Sequence, residues 1–250
     1  MLNYIKAERT SPAEFDRALV WTALILLLLG VVMVYSASIA TAEASRYAGN
    51  QPAYFLLRQA LFLGAGLIAA LLVFQVPVRV WQSLSPWLFV FGIVLLVLVL
   101  IPGVGREVNG AKRWLSLGPA NLQPSEFMKL AAVLYAADYT ARKSALMHSF
   151  KKGLLPMLTV MLLIGWLLLR EPDFGAFVVI ASIAMAILFL GGMNGKWFAG
   201  LLVLSLVGFL VLILSSPYRM QRIFGFMDPW ADPYGRGYQL SHALIAFGRG

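Results

Sequence analysis

The chain has 250 residues, of which 60% are hydrophobic and only 12% charged, and its mean hydropathy is +0.81. A soluble domain carries about 25% charged residues, so this composition excludes an ordinary soluble enzyme, and the lack of cysteine excludes a disulfide scaffold or a thiolate metal site. The net charge of +9 sits mostly at the ends of apolar runs, which fits membrane topology and lipid headgroups rather than nucleic acid.

Seven apolar runs predict spans at 18–40, 55–75, 87–101, 124–140, 153–169, 174–191 and 197–214, the third extendable back to Ser83. Crossing a bilayer takes about 20 helical residues. The runs are continuous rather than alternating, which favours helices over a barrel, so the fold class is an all-α polytopic membrane protein. The first run is too long for a signal-peptide core and lacks a clear small-residue cleavage site. Residues 1–17 form an expected cytoplasmic segment, 18–215 the transmembrane domain and 216–250 the start of a large periplasmic loop. Gly64, Gly66, Ala131, Ala132 and Ala136 are expected to permit close helix contact. Arg170-Glu171-Pro172-Asp173 separates the fifth and sixth runs, which therefore form a tight hairpin. The stretch 218–226 alternates basic and apolar groups and is expected along the membrane surface. Asp228 and Asp232 each precede a proline and read as turn residues, while His148 and His242 read as solvent-facing or capping. The tail is glycine-rich and shows no closing helix.

Basic residues set the orientation. Arg142, Lys143, Lys151 and Lys152 lie in the acid-free loop 141–152, which argues for a cytoplasmic loop and a cytoplasmic N-terminus. That topology puts Arg106, Lys112 and Arg113 outside, against the usual bias. It also gathers Arg58, Lys112, Arg113, Lys129 and Arg170 with Glu126, Glu171 and Asp173 at one depth, a local excess of two positive charges. Such a cluster suits an anionic lipid headgroup. Glu126 and Lys129 are the most telling pair, because a charge at membrane depth costs at least about 2.5–3.5 kcal/mol and is expected to point inward. A structural ion pair between helices is the competing explanation. Neither GxxxxGK[ST] nor a strand-borne GxGxxG is present, and no metal-ligand set is visible.

The segments GAKRWLSLGPANLQPSEFMKL (110–130), EPDFG (171–175) and DPYGRGYQLSHALIAFGRG (232–250), with FDRALVWTALILLLLGVVMVYSAS (15–38), resemble the SEDS family of bacterial cell-wall polymerases. Glu171 before Pro-Asp and the tail YQLSHALIAFGRG favour its cell-division branch over its elongation branch. The resemblance covers essentially the whole chain. It implies a fold of about ten spans in the bacterial inner membrane at the division septum. The implied activity is a peptidoglycan glycosyltransferase that polymerises lipid II into glycan strands. The implied partners are lipid II, a class B penicillin-binding protein, other divisome membrane proteins and membrane lipids. The family's polar cavity maps onto Arg58, Arg113, Glu126, Lys129 and Asp173. Lys129 and Arg113 would stabilise the leaving diphosphate, and Glu126 would orient Lys129. Asp173 would either hold an arginine or contact the acceptor sugar. The family's catalytic aspartate maps beyond Gly250, so the resemblance implies an incomplete chain that is inactive alone. No cofactor is evident, and a divalent-cation requirement stays open. A lipid II flippase and a non-enzymatic divisome scaffold are the alternatives.

Overall fold

The computed structural model describes residues 16–108, 111–116, 118 and 121–249. Most of the expected segment 1–17, Asn109, and Gly110, Leu117, Pro119 and Ala120 of the long motif lie outside the described residues. The chain forms two compact units, Met1–Pro77 and Val78–Gly250.

In the first unit α1 (Arg17–Ala44) packs against α2 (Tyr54–Gln75). Asp16 starts α1 as its N-cap, its carboxylate accepting from the Ala18 and Leu19 amides at 2.9 and 3.1 Å. The apolar side chains of both helices are largely exposed, as expected for surfaces solvated by lipid. A Cβ at Gly64 or Gly66 would meet no heavy atom within 4 Å, so these glycines do not make the close contact expected of them.

The second unit opens with α3 (Val78–Leu100), longer than the run expected from sequence because it continues through Pro86. Proline cannot donate to the carbonyl four residues back, here that of Gln82. The Ser85 hydroxyl donates to that carbonyl at 3.1 Å, so the helix crosses the proline with the acceptor satisfied.

Next comes an antiparallel sheet that the sequence reading did not anticipate: β1 (Gly105–Val108), β2 (Ala111–Ser116) and β3 (Asn121–Leu122), in that order. Leu115 of β2 packs with Leu95 and Val99 of α3, which seats the sheet on that helix end. Then follow α4 (Pro124–Arg142), α5 (Leu155–Arg170, preceded by a π-turn), α6 (Phe174–Leu190) and α7 (Gly195–Leu214). Five helices among the described residues are long and apolar enough to cross a membrane. Helix α6, with 17 residues, and the charge-bearing α4 pack among them, so the chain is a polytopic helical membrane protein. The core is built by α3, α4, α5 and α6. Met128, Ala131, Ala132 and Ala136 of α4 face Phe89 and Leu96 of α3, and Ile180, Ala184 and Leu188 of α6. A Cβ at Gly92 would lie 2.6 Å from the Met128 sulfur, so this glycine, not Gly64 or Gly66, lets α3 approach α4.

The tail, expected to be glycine-rich without a closing helix, contains α8 (Pro217–Met227), over the stretch expected along the membrane surface, and α9 (Tyr238–Arg249). Pro217 occupies the first helical turn of α8, where its missing N–H costs nothing. Met220, Ile223, Phe224 and Met227 then recur at helical spacing as an apolar stripe, with Arg219 and Arg222 off it.

Candidate functional site

The turn between α5 and α6 is held from three sides. Asp173 caps α6, its Oδ1 accepting from the Ala176 amide at 3.3 Å. Its Oδ2 accepts from the Ser125 hydroxyl at 2.7 Å and from the Gln123 amide at 3.2 Å, which ties the start of α4 to the start of α6. Arg113, on β2, donates through Nε to the Glu171 carbonyl at 3.1 Å and through Nη2 to the Pro172 carbonyl. Asp173 therefore grips a serine and a glutamine, and Arg113 grips backbone rather than a carboxylate.

Glu171 lies at the centre of this turn with 0% exposure. Neither carboxyl oxygen has a hydrogen-bond partner among the described residues. Burial pushes its carboxyl up from the ordinary 4.5 to about 8; Asp173 adds to the rise and Arg113 opposes it. The rise favours the protonated form of Glu171, which relieves the cost of holding a charge in this sealed position.

Beside the turn opens a cleft of about 700 Å³ lined by Arg113, Asp173, Ser216, Arg219 and Arg222 among apolar neighbours. Arg219 stacks over the Phe174 ring at 5.3 Å and donates to the Leu212 carbonyl. The cleft thus concentrates guanidinium groups against one carboxylate, on walls supplied by β2, the α5–α6 turn and α8. Flexible, polyanionic groups such as phosphates suit that lining. A smaller hollow of about 440 Å³ holds Glu107, Lys112 and Arg170, the last stacked over Trp166 at 5.4 Å.

Glu126 and Lys129 do pair, at 2.8 Å, in the first turns of α4. They do not point inward: Glu126 is 60% and Lys129 30% exposed, because the buried face of α4 is the one carrying Ser125, Met128 and Ala132. Arg58 is in the first unit, 3.5 Å from the Tyr54 hydroxyl and over the Phe62 ring at 5.7 Å. Of the five residues expected from the sequence, the structure thus brings Arg113 and Asp173 to one cleft and pairs Glu126 with Lys129. Gln123, Ser125, Arg219 and Arg222 were not singled out. The signal for the first two was the run Gln-Pro-Ser-Glu at 123–126, which starts a helix; for the arginines it was their three-residue spacing on an amphipathic helix. Asp228 and Asp232 are turn residues as expected, accepting from the amides of Trp230 and Ala231 and of Arg236. At the opposite end of α4, buried Asp138 is neutralised by Arg142 of its own helix at 2.8 Å. Among the described residues no group of three or more His, Cys, Asp or Glu is placed to hold a metal ion.

A family model described as "Cell cycle protein", named for FtsW, RodA and SpoVE, matches residues 17–250. A protein of Aromatoleum aromaticum named probable peptidoglycan glycosyltransferase FtsW is 64% identical over 237 residues, 95% of this chain and 58% of that protein. A Burkholderia thailandensis protein of the same name is 51% identical over 252 residues, 100% of this chain and 54% of its own length. The chain spans a little over half the length of these relatives. Among solved structures, a chain from work on the coordination of polymerization and crosslinking by a peptidoglycan synthase complex is 32% identical, with a TM-score of 0.62, covering 87% of this chain and 64% of that one. The rod shape determining protein RodA of Thermus thermophilus is 31% identical, with a TM-score of 0.56, covering 74% and 58%.

Proposed function

The chain belongs to the FtsW/RodA/SpoVE family of cell cycle proteins, and from that footing we propose that the protein is a peptidoglycan glycosyltransferase of the division septum that polymerises lipid II. The observation that carries the reading is the arginine-lined cleft beside the α5–α6 turn. The reaction is displacement at a sugar anomeric carbon. An acceptor hydroxyl oxygen bonds to that carbon, the bond from carbon to the diphosphate oxygen breaks, and undecaprenyl diphosphate leaves with the electron pair. Arg113, Arg219 and Arg222 supply positive charge where the leaving diphosphate develops negative charge, and the half-exposed Lys129 is a further candidate. The hydroxyl proton goes to a carboxylate base. Asp173, Asp228 and Asp232 are engaged in capping and turn bonds, so none of them is assigned as that base.

In this reading the N-terminus is cytoplasmic and the cleft opens to the periplasm. The partner is a class B penicillin-binding protein that crosslinks the product. Arg142 neutralises Asp138 near the opposite end of α4, which favours polymerisation over headgroup passage through the bilayer. The test is to incubate the protein, at the full length of its relatives, with labelled lipid II, with and without that partner. Glycan ladders support the reading. Transfer of lipid II between leaflets without ladders overturns it.

A further inference from the structure

A second, differently built cleft adjoins the arginine-lined one. It has a volume of about 670 Å³, lies between α8 and α9, and is lined among others by Gln221, Arg222, Tyr234, Arg236, Tyr238 and Gln239. Arg222 lines both clefts. We propose that this second cleft is a saccharide subsite, holding the sugar rings that present the attacking hydroxyl to the diphosphate-bearing sugar next door. The proposal rests on the polymerase reading and adds to it a place for the second substrate.

The lining chemistry differs from that of its neighbour. A pyranose ring offers an apolar C–H face and a rim of hydroxyls, which calls for an aromatic face together with amide and guanidinium groups at the edge. Tyr234 and Tyr238 are 87% and 51% exposed, so their rings are accessible to a ligand in the cleft that they line. Tyr238 is held by the His242 ring at a centroid distance of 4.1 Å, and Tyr234 meets the same ring edge-on at 6.5 Å. His242 thus serves as the back of an aromatic platform. Arg236 faces Asp232 at 3.7 Å, which offsets its charge and makes the cleft better suited to a neutral polyol than to an anion.

The turn that carries the platform is firmly built. The Gly237 amide donates to the Asp232 carbonyl at 3.0 Å, and a Cβ at Gly237 would sit 2.1 Å from the Pro229 carbonyl oxygen. Ser241, fully buried, donates to the Pro233 carbonyl at 3.2 Å and so ties α9 to the same turn. The rings are therefore displayed on a fixed frame, which lowers the ordering cost of binding.

The test uses the protein at its relatives' full length in detergent micelles, with chitotetraose, a neutral β-linked N-acetylglucosamine tetramer, as the probe in saturation-transfer NMR. The wild type is expected to bind it. Tyr234→Ala and Tyr238→Ala are each expected to weaken binding about tenfold and to shorten the glycan made from lipid II. Inhibition by inorganic diphosphate should be unchanged, since that ion addresses the neighbouring cleft. Tyr234→Ala guards against a folding artefact, because that ring is almost wholly exposed. No chitotetraose binding by the wild type, or undiminished binding and glycan length in both variants, overturns the subsite. A wild type that binds the tetramer but makes no glycan counts against the polymerase reading alone.

Discussion

Glu171 shows how a single buried acid can set the behaviour of a turn. Its carboxyl is sealed from solvent, lacks hydrogen bonds among the described residues and is raised to about 8. A carboxyl whose pKa is raised on folding holds its proton more tightly in the folded state. Its stabilising effect is complete below the ordinary value of 4.5 and is lost as pH rises to about 8. The melting temperature should therefore fall across that window, and Glu171→Gln, a neutral isostere, should flatten the slope; thermal unfolding measured at a series of pH values checks this. Lys129 behaves differently. An exposed ion pair is worth about 0–1 kcal/mol, so Lys129→Ala should cost little stability and leave the protein inserted. If Lys129 contacts the substrate diphosphate, that variant should lose glycan synthesis all the same, as an assay with labelled lipid II would show. The inward-pointing pair expected from the sequence would instead have tied stability and activity together.

Among the elements, the bond set from Asp173 to Ser125, Gln123 and Ala176 couples two helices that are far apart in sequence. Asp173→Ala removes a helix cap and takes the acceptor away from the buried Ser125 hydroxyl and the half-buried Gln123 amide, at a cost of roughly 2–4 kcal/mol. Ser125→Ala should cost only about 1 kcal/mol, and comparing the two melting temperatures checks the order. The long helices were legible because continuous apolar runs have few other solutions in lipid. The sheet was not. Its strands are short, they lie among glycines and prolines, and they are fixed by the docking of Leu115 onto α3 rather than by a strong local pattern. Of the two tail helices, α8 was legible only as a surface-lying stretch and α9 not at all, for a related reason: they are short and amphipathic, and the turn chemistry of Asp228 and Asp232 between them dominates the sequence. Arg113 and Asp173 were readable as charges out of place. Their actual partners, two carbonyls on one side and a serine with a glutamine on the other, depend on a tertiary contact that no spacing reveals.

For the whole molecule, the account depends on which side of the membrane the α5–α6 turn faces. The turn meets β2, whereas the 141–149 loop follows the far end of α4, so the two mark opposite ends of that helix. Single cysteines read this cleanly, because the chain has none of its own. A cysteine replacing Ser116, which is exposed on β2, should react with an impermeant thiol reagent in intact spheroplasts, and one replacing the exposed Ser144 should not. The reverse pattern would put the arginine-lined cleft in the cytoplasm. The most direct measurement remains synthesis itself: the protein at its relatives' full length, in membranes, with labelled lipid II and the proposed class B penicillin-binding protein. The account predicts glycan chains that disappear in Lys129→Ala and shorten in Tyr234→Ala. Absence of glycan from the wild type under conditions where a known polymerase is active would contradict it.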